Sequence, residues 1–115
     1  DPLIATAGWS TLSNFASVKP DEQLNIEQYS KLLDQVEKTI HNSPNRVRYA
    51  MNSFVISVGS YIKDLNKKAH SIAAKISNVT VDMQGTAFKL PRATNYIKKV
   101  MDKGYLGRKK KMARC

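Results

Sequence analysis

Residues 41–64 read HNSPNRVRYAMNSFVISVGSYIKD. A serine and a proline stand ahead of a long stretch with no further proline. Ser43 can cap a helix here, and Pro44 suits its first position, where a missing N–H has no partner to lose. Val47, Met51, Phe54, Val58, Tyr61 and Ile62 then recur at helical spacing and form one apolar face. Arg46, Ala50, Ser53, Ser57 and Ser60 form a second face, small and polar, with Arg48, Asn52 and Gly59 on the flank. A glycine inside a helix costs about 1 kcal/mol relative to alanine. Gly59 therefore points to close approach by another helix or by a ligand backbone.

Working outward, the spacing predicts four more helices. Residues 4–16 carry Ile4, Trp9, Leu12 and Phe15 as an apolar stripe. Residues 17–25, with Pro20, read as a loop. Residues 26–41 repeat Ile26, Tyr29, Leu32, Leu33, Val36 and Ile40, with Asn25 as N-cap and Glu27 in the first turn. Residues 66–76 turn Ala69, Ile72, Ala73 and Ile76 inward. About fourteen non-helical residues follow. In them Val79, Val81 and Met83 alternate with polar residues as in an extended segment, and Gly85 marks a turn. The fifth helix starts near Pro91 and ends at Gly104. The expectation is an all-α chain. Helices two with three, and four with five, form antiparallel pairs of roughly forty residues, the period of HEAT-like repeats. Residues 1–104 form the helical body and residues 105–115 a basic tail. The chain opens without Met, inside what reads as a helix, as expected of a piece lacking its upstream half.

The charge is unevenly placed. The whole chain carries +10. Residues 1–88 hold nine Lys/Arg against eight Asp/Glu, whereas residues 89–115 hold ten against Asp102 alone. A nearly neutral body with a strongly basic end points to a polyanionic partner. No run of 18 apolar residues exists to span a membrane. The tail has no hydrophobic anchor beside its charge, and Cys115 stands last rather than fourth from the end, where prenylation requires it. One cysteine excludes an internal disulfide, and a reducing, cytoplasmic setting is expected. His41 and His70 lie 29 residues apart with no cysteine partners, so no zinc signature is present and no cofactor is expected.

Several residues have two readings. The basic tail can hold phosphates or only solubilise, and Lys89, Arg92, Lys98, Lys99 and Lys103 extend its charge onto the fifth helix. Arg46 and Arg48 flank a helix N-terminus, a ready phosphate site, or else are a solvated first turn. Trp9, the only tryptophan, can stack on a base or pack in the core. Tyr49 is a second stacking candidate. Asp82 can act as acid or base, or bond its own backbone. His41 reads as inert or dipole-stabilising and His70 as a surface residue. No Ser-His-Asp set, glycine-rich phosphate loop or carboxylate pair emerges, so the residues alone assign no enzyme.

Three stretches together resemble a known family: AGWSTLSNFA at 7–16, IHNSPNRVRYAMNSFVISVGSYI at 40–62 and VTVDMQGTAFKLPRATNYIKKV at 79–100, closed by GYLGRKKKMARC. In this order they resemble the C-terminal half of the AlkD-type DNA glycosylases, DNA alkylation-repair proteins built from HEAT-like repeats. The resemblance implies a curved α-solenoid whose basic concave face cradles double-stranded DNA. It also implies excision of N3- or N7-alkylated purines by the intact protein, without metal or organic cofactor. The family's catalytic carboxylate and companion tryptophan fall upstream of the matched region, so the catalytic residues are expected to lie outside this chain. The chain departs from the family pattern at Thr6, Ser53 and Phe88. Those departures fall on the glycosylase chemistry and leave fold and DNA binding as expectations. The expected phosphate contacts are Arg46, Arg48, Lys98, Lys99, Lys103, Arg108, Lys109, Lys110 and Lys111, with Trp9 on the lesion side. The alternative is a non-catalytic HEAT-like scaffold that binds nucleic acid or protein. With helix one lacking an upstream partner, self-association is also expected.

Overall fold

A computed structural model describes residues 2–76, 80–83, 86–89 and 92–110. Five α-helices are present: α1 (Pro2–Val18), α2 (Ile26–Thr39), α3 (Asn45–Tyr61), α4 (Asn66–Ile76) and α5 (Ala93–Asp102). Short 3-10 turns follow α1, α2 and α3. Between α4 and α5 lies an antiparallel hairpin of β1 (Thr80–Met83) and β2 (Thr86–Lys89), with Val81 opposite Phe88 and Asp82 opposite Ala87. The alternation in VTVDM foretold β1. The second strand was not read from the sequence, because TAFK is too short to show a period of its own.

The helix ends follow their chemistry. Asn25 caps α2 by accepting from the Gln28 N–H at 3.0 Å. Ser43 does not cap α3. Its hydroxyl donates to Thr39 O at 2.8 Å, finishing the previous turn, and the cap position falls on Pro44, one residue later than expected. His41 is not inert, since its Nε2–H donates to Ile76 O at 2.8 Å and ties the end of α2 to the end of α4.

Packing centres on α3. α3 lies against α1 on one side and against α4 and α5 on the other, while α2 packs mainly on α4. The pair α2–α3, adjacent in sequence, touches less than α1–α3 does. Phe54 sits fully buried where three helices meet. Trp9 of α1 meets it edge-on with centroids 4.9 Å apart, and Tyr29 of α2 stacks on it at 5.6 Å. Gly59 explains itself: a Cβ there would lie 2.4 Å from Ile97 Cδ1 and 3.2 Å from Ala69 Cβ, so α3 admits α5 and α4 only because that side chain is missing. Asn66 Nδ2 donates to Gly59 O at 2.8 Å and fixes the start of α4 on the same spot.

The stripe expected on α1 is only half right. Trp9, Ser13, Ala16 and Ser17 are buried, whereas Ile4 and Phe15 are exposed. The helix rolls to place Trp9 on Phe54, and that rotation carries the 4/15 side outward.

Tyr29 links stability to pH. Its hydroxyl donates to Leu12 O at 2.7 Å, and burial pushes its phenol up from 10.0 to about 12. The folded state disfavours the phenolate, so this contribution is whole below pH 10 and is lost as pH rises toward 12. It amounts to roughly 2–3 kcal/mol. Tyr29→Phe is expected to flatten the alkaline fall in stability over pH 10–12, read as denaturant midpoints of the two proteins. Parallel curves would place the loss elsewhere.

Candidate nucleic-acid interface

Two stripes of small polar residues face each other. On α1, Ser10, Ser13, Asn14 and Ser17 recur at i, i+3, i+4, i+7, one side of a helix. On α3, Ala50, Ser53 and Ser57 do the same. Their short side chains leave a cavity of ≈ 400 Å³ between the helices. A second cavity of ≈ 360 Å³ continues it along α3 to α5, where Tyr61, Tyr96 and Val100 form the wall. Tyr49, Ser53, Ser57 and Lys110 line both. Among the described residues, no acidic side chain lines either cavity.

Residues 105–110 form a strap that closes one end of this groove. The Gly107 N–H donates to Ser60 O at 2.9 Å, and the Lys110 N–H donates to Ser17 O at 2.7 Å. Lys109 Nζ donates to Ala16 O at 2.8 Å. It also lies 2.7 Å from Asp21 Oδ1, an ion pair at an angle outside hydrogen-bond geometry. Gly107 takes φ +78, a left-handed backbone that favours glycine, and packs against the Lys63 side chain. The tail therefore does not hang free over these residues. Lys109→Met is expected to lower stability by about 2 kcal/mol, because Asp21 and a helix-end carbonyl lose their charged partner in a part-buried site. Hydrogen exchange at the Gly107 and Lys110 amides should quicken in the same variant. Unchanged exchange would mean the strap holds without it.

The structure sorts the sequence-derived cations. Lys110 Nζ stands 5.6 Å from the centre of the Tyr61 ring, at the junction of the two cavities. Lys99 Nζ lies 5.8 Å over Tyr96, and Lys103 is one turn further on the same side of α5. Arg46 is exposed, one turn before Tyr49 on the serine side of α3. Arg108 stands over Tyr105 at 5.3 Å on the strap. These five remain exposed cations.

Four other site residues stand differently. Lys98 is on the opposite side of α5, in a cleft with Asn66, Lys67, His70, Met101 and Asp102. Lys109 is turned inward to Asp21. Arg48 spends its guanidinium on the carbonyls of Ile40, His41 and Ser43 at 3.0–3.2 Å, holding the corner between α2 and α3. Trp9 is 7% exposed and packs T-shaped against Phe54, so it presents no face to a lesion. Lys111 lies outside the described residues. Tyr96 and the paired serine stripes were not read as site residues. The small polar face of α3 was legible in the sequence, but nothing local announces that the Ser10, Ser13, Asn14 and Ser17 side of α1 stands opposite it.

Among the described residues no cluster of His, Cys, Asp or Glu could hold a metal ion, and no helix is long and apolar enough to cross a membrane.

No protein-family profile matches the chain. It is 33% identical over 101 residues to an uncharacterised protein of Listeria monocytogenes, covering 88% of this chain and 42% of that protein. An uncharacterised protein of Listeria innocua is 32% identical over the same shares. The chain thus spans less than half the length of the curated relatives it matches. Among solved structures, one superposes with a TM-score of 0.92 at 35% identity, over 100% of this chain and 49% of that one. It represents a family of proteins related to the HEAT-like repeat DNA glycosylases with affinity for branched DNA structures. This chain has the HEAT-like helical repeat fold of that protein.

Proposed function

We propose that this chain is a DNA-binding unit, one that seats a phosphate backbone along the groove bounded by α1, α3, α5 and the strap. The observation that carries the reading is the sorting of charge. Arg46, Lys99, Lys103, Arg108 and Lys110 stay exposed around or beside a groove whose lining, among the described residues, holds no acid. The neighbouring fold with affinity for branched DNA supports it. In this reading the intact protein is a DNA alkylation-repair protein in which this chain binds and positions the DNA. Excision of an alkylated purine then belongs to carboxylates outside this groove, in the part of its longer relatives that the chain does not span.

The test is anisotropy of a labelled duplex and a labelled branched DNA with the full chain across a salt series. Binding whose affinity falls steeply with salt is expected, since each neutralised phosphate releases counterions. Absence of binding to either DNA at low salt would remove nucleic acid from the account and leave a protein-interaction scaffold.

Self-association belongs to the same reading. α1 contains no charged residue, and it exposes Ile4 and Phe15 on its outer side. A concentration-dependent dimer is expected in sedimentation, and Ile4→Glu with Phe15→Glu should shift it to monomer. A monomer at every concentration would remove dimerisation.

A further inference from the structure

Three features of the cavity between α3 and α5 are unexplained by a backbone contact alone. Ser60 is 3% exposed, lines the cavity and has no hydrogen-bond partner for its hydroxyl. A buried hydroxyl left unpaired costs stability, and a polar atom placed in the cavity would relieve that cost. Tyr49 and Tyr96, which line the same cavity, are 57% and 47% exposed, large rings with no intramolecular stacking partner to account for them among the described residues. Lys110 stands at the rim and Lys99 over the Tyr96 ring.

A ligand that satisfies all three has a flat π-face for the tyrosines, a polar edge for a hydroxyl and a negative charge for the lysines. That is a nucleotide with its base out of the stack. Paired bases in a duplex offer no free face, whereas unpaired ones stack readily on aromatic side chains. We propose that this cavity receives one unpaired nucleotide of a DNA branch, its base against Tyr49 and Tyr96, its edge at Ser60 Oγ and its phosphate at Lys110 and Lys99. The inference rests on the DNA-binding reading and adds to it the reason a branched DNA would be preferred to a plain duplex.

The test uses the full chain and a Y-shaped DNA carrying 2-aminopurine at the unpaired position beside the branch, with a fully paired duplex as the second probe. Stacking on tyrosine is expected to quench the fluorophore in the Y-DNA complex. Tyr49→Ala with Tyr96→Ala should abolish the quench and weaken Y-DNA binding roughly tenfold to hundredfold, a larger loss than for the duplex. Both side chains are exposed, and an unaltered melting curve verifies that the variant folds. Tyr49→Phe with Tyr96→Phe should restore the quench. Ser60→Ala should weaken Y-DNA binding without lowering the melting temperature, an outcome a merely structural serine would not produce. A bound Y-DNA whose fluorescence is unchanged, or a quench that survives the double alanine variant, overturns this inference while DNA binding stands. Failure of the native chain to bind either DNA overturns both.

Discussion

Phe54→Ala is expected to come close to unfolding the chain. Its ring is fully buried and is shared by Trp9 and Tyr29, so three helices lose their common contact at once. Truncating a core phenylalanine costs about 3–5 kcal/mol, and aromatic pairs add about 0.5–1.5 kcal/mol each beyond their area. Domains of this kind hold only about 5–15 kcal/mol in total. The cavity cannot collapse easily, because Trp9 is fixed by α1 and Tyr29 by its bond to Leu12 O. A fall in melting temperature on the order of 15 °C or more should follow, checked by circular dichroism. Phe54→Leu, which keeps most of the volume, should lose less than half as much. Equal losses for both would mean that the aromatic faces, not the volume, carry the stability of this junction.

A variant combining Arg46→Gln, Lys99→Gln, Lys103→Gln and Lys110→Gln should lose most of its affinity for DNA at moderate salt. Each cation that meets a phosphate contributes about 1 to the slope of log affinity against log salt, so the quadruple change should flatten it by roughly 4. Affinity near 0.1 M salt should fall on the order of a hundredfold or more. The control is Lys98→Gln with Lys67→Gln, equal in chemistry but placed in the cleft between α4 and α5. That variant should keep the native slope within about 0.5. Both slopes falling alike would show that net charge alone attracts the DNA and that the groove is not its seat. All six residues are exposed or half-exposed, so the folded state should survive the changes, and thermal melts provide the check.

The two sets of lysines also mark the boundary of what a linear reading can reach. Helix positions were legible because they depend on neighbours three and four residues away. The apolar repeats of α2, α3 and α4, the Asn25 cap and the stop at Gly104 (φ 73) are all local events. So was the warning at Gly59, since a glycine inside a helix has a cost that something nearby must repay. The asymmetry of charge was legible for the same reason, being a count.

Which cations face a common groove was not a local matter. Lys98 and Lys99 are neighbours in the chain, yet one step of about 100° around α5 sends them to opposite clefts. Which side of α5 becomes the groove depends on how Ile97 docks at Gly59. Trp9 could have faced a ligand until α3 supplied Phe54 beneath it. Arg48 and Lys109 were spent on carbonyls, and no side-chain pattern announces a carbonyl because every residue has one. The strap follows the same logic, for its backbone bonds join Gly107 to Ser60 and Lys110 to Ser17 across 47 and 93 residues of chain. Periodicity and composition therefore decided the helices and the end of the chain where positive charge gathers. Contacts between residues distant in sequence decided which of those charged side chains remain exposed.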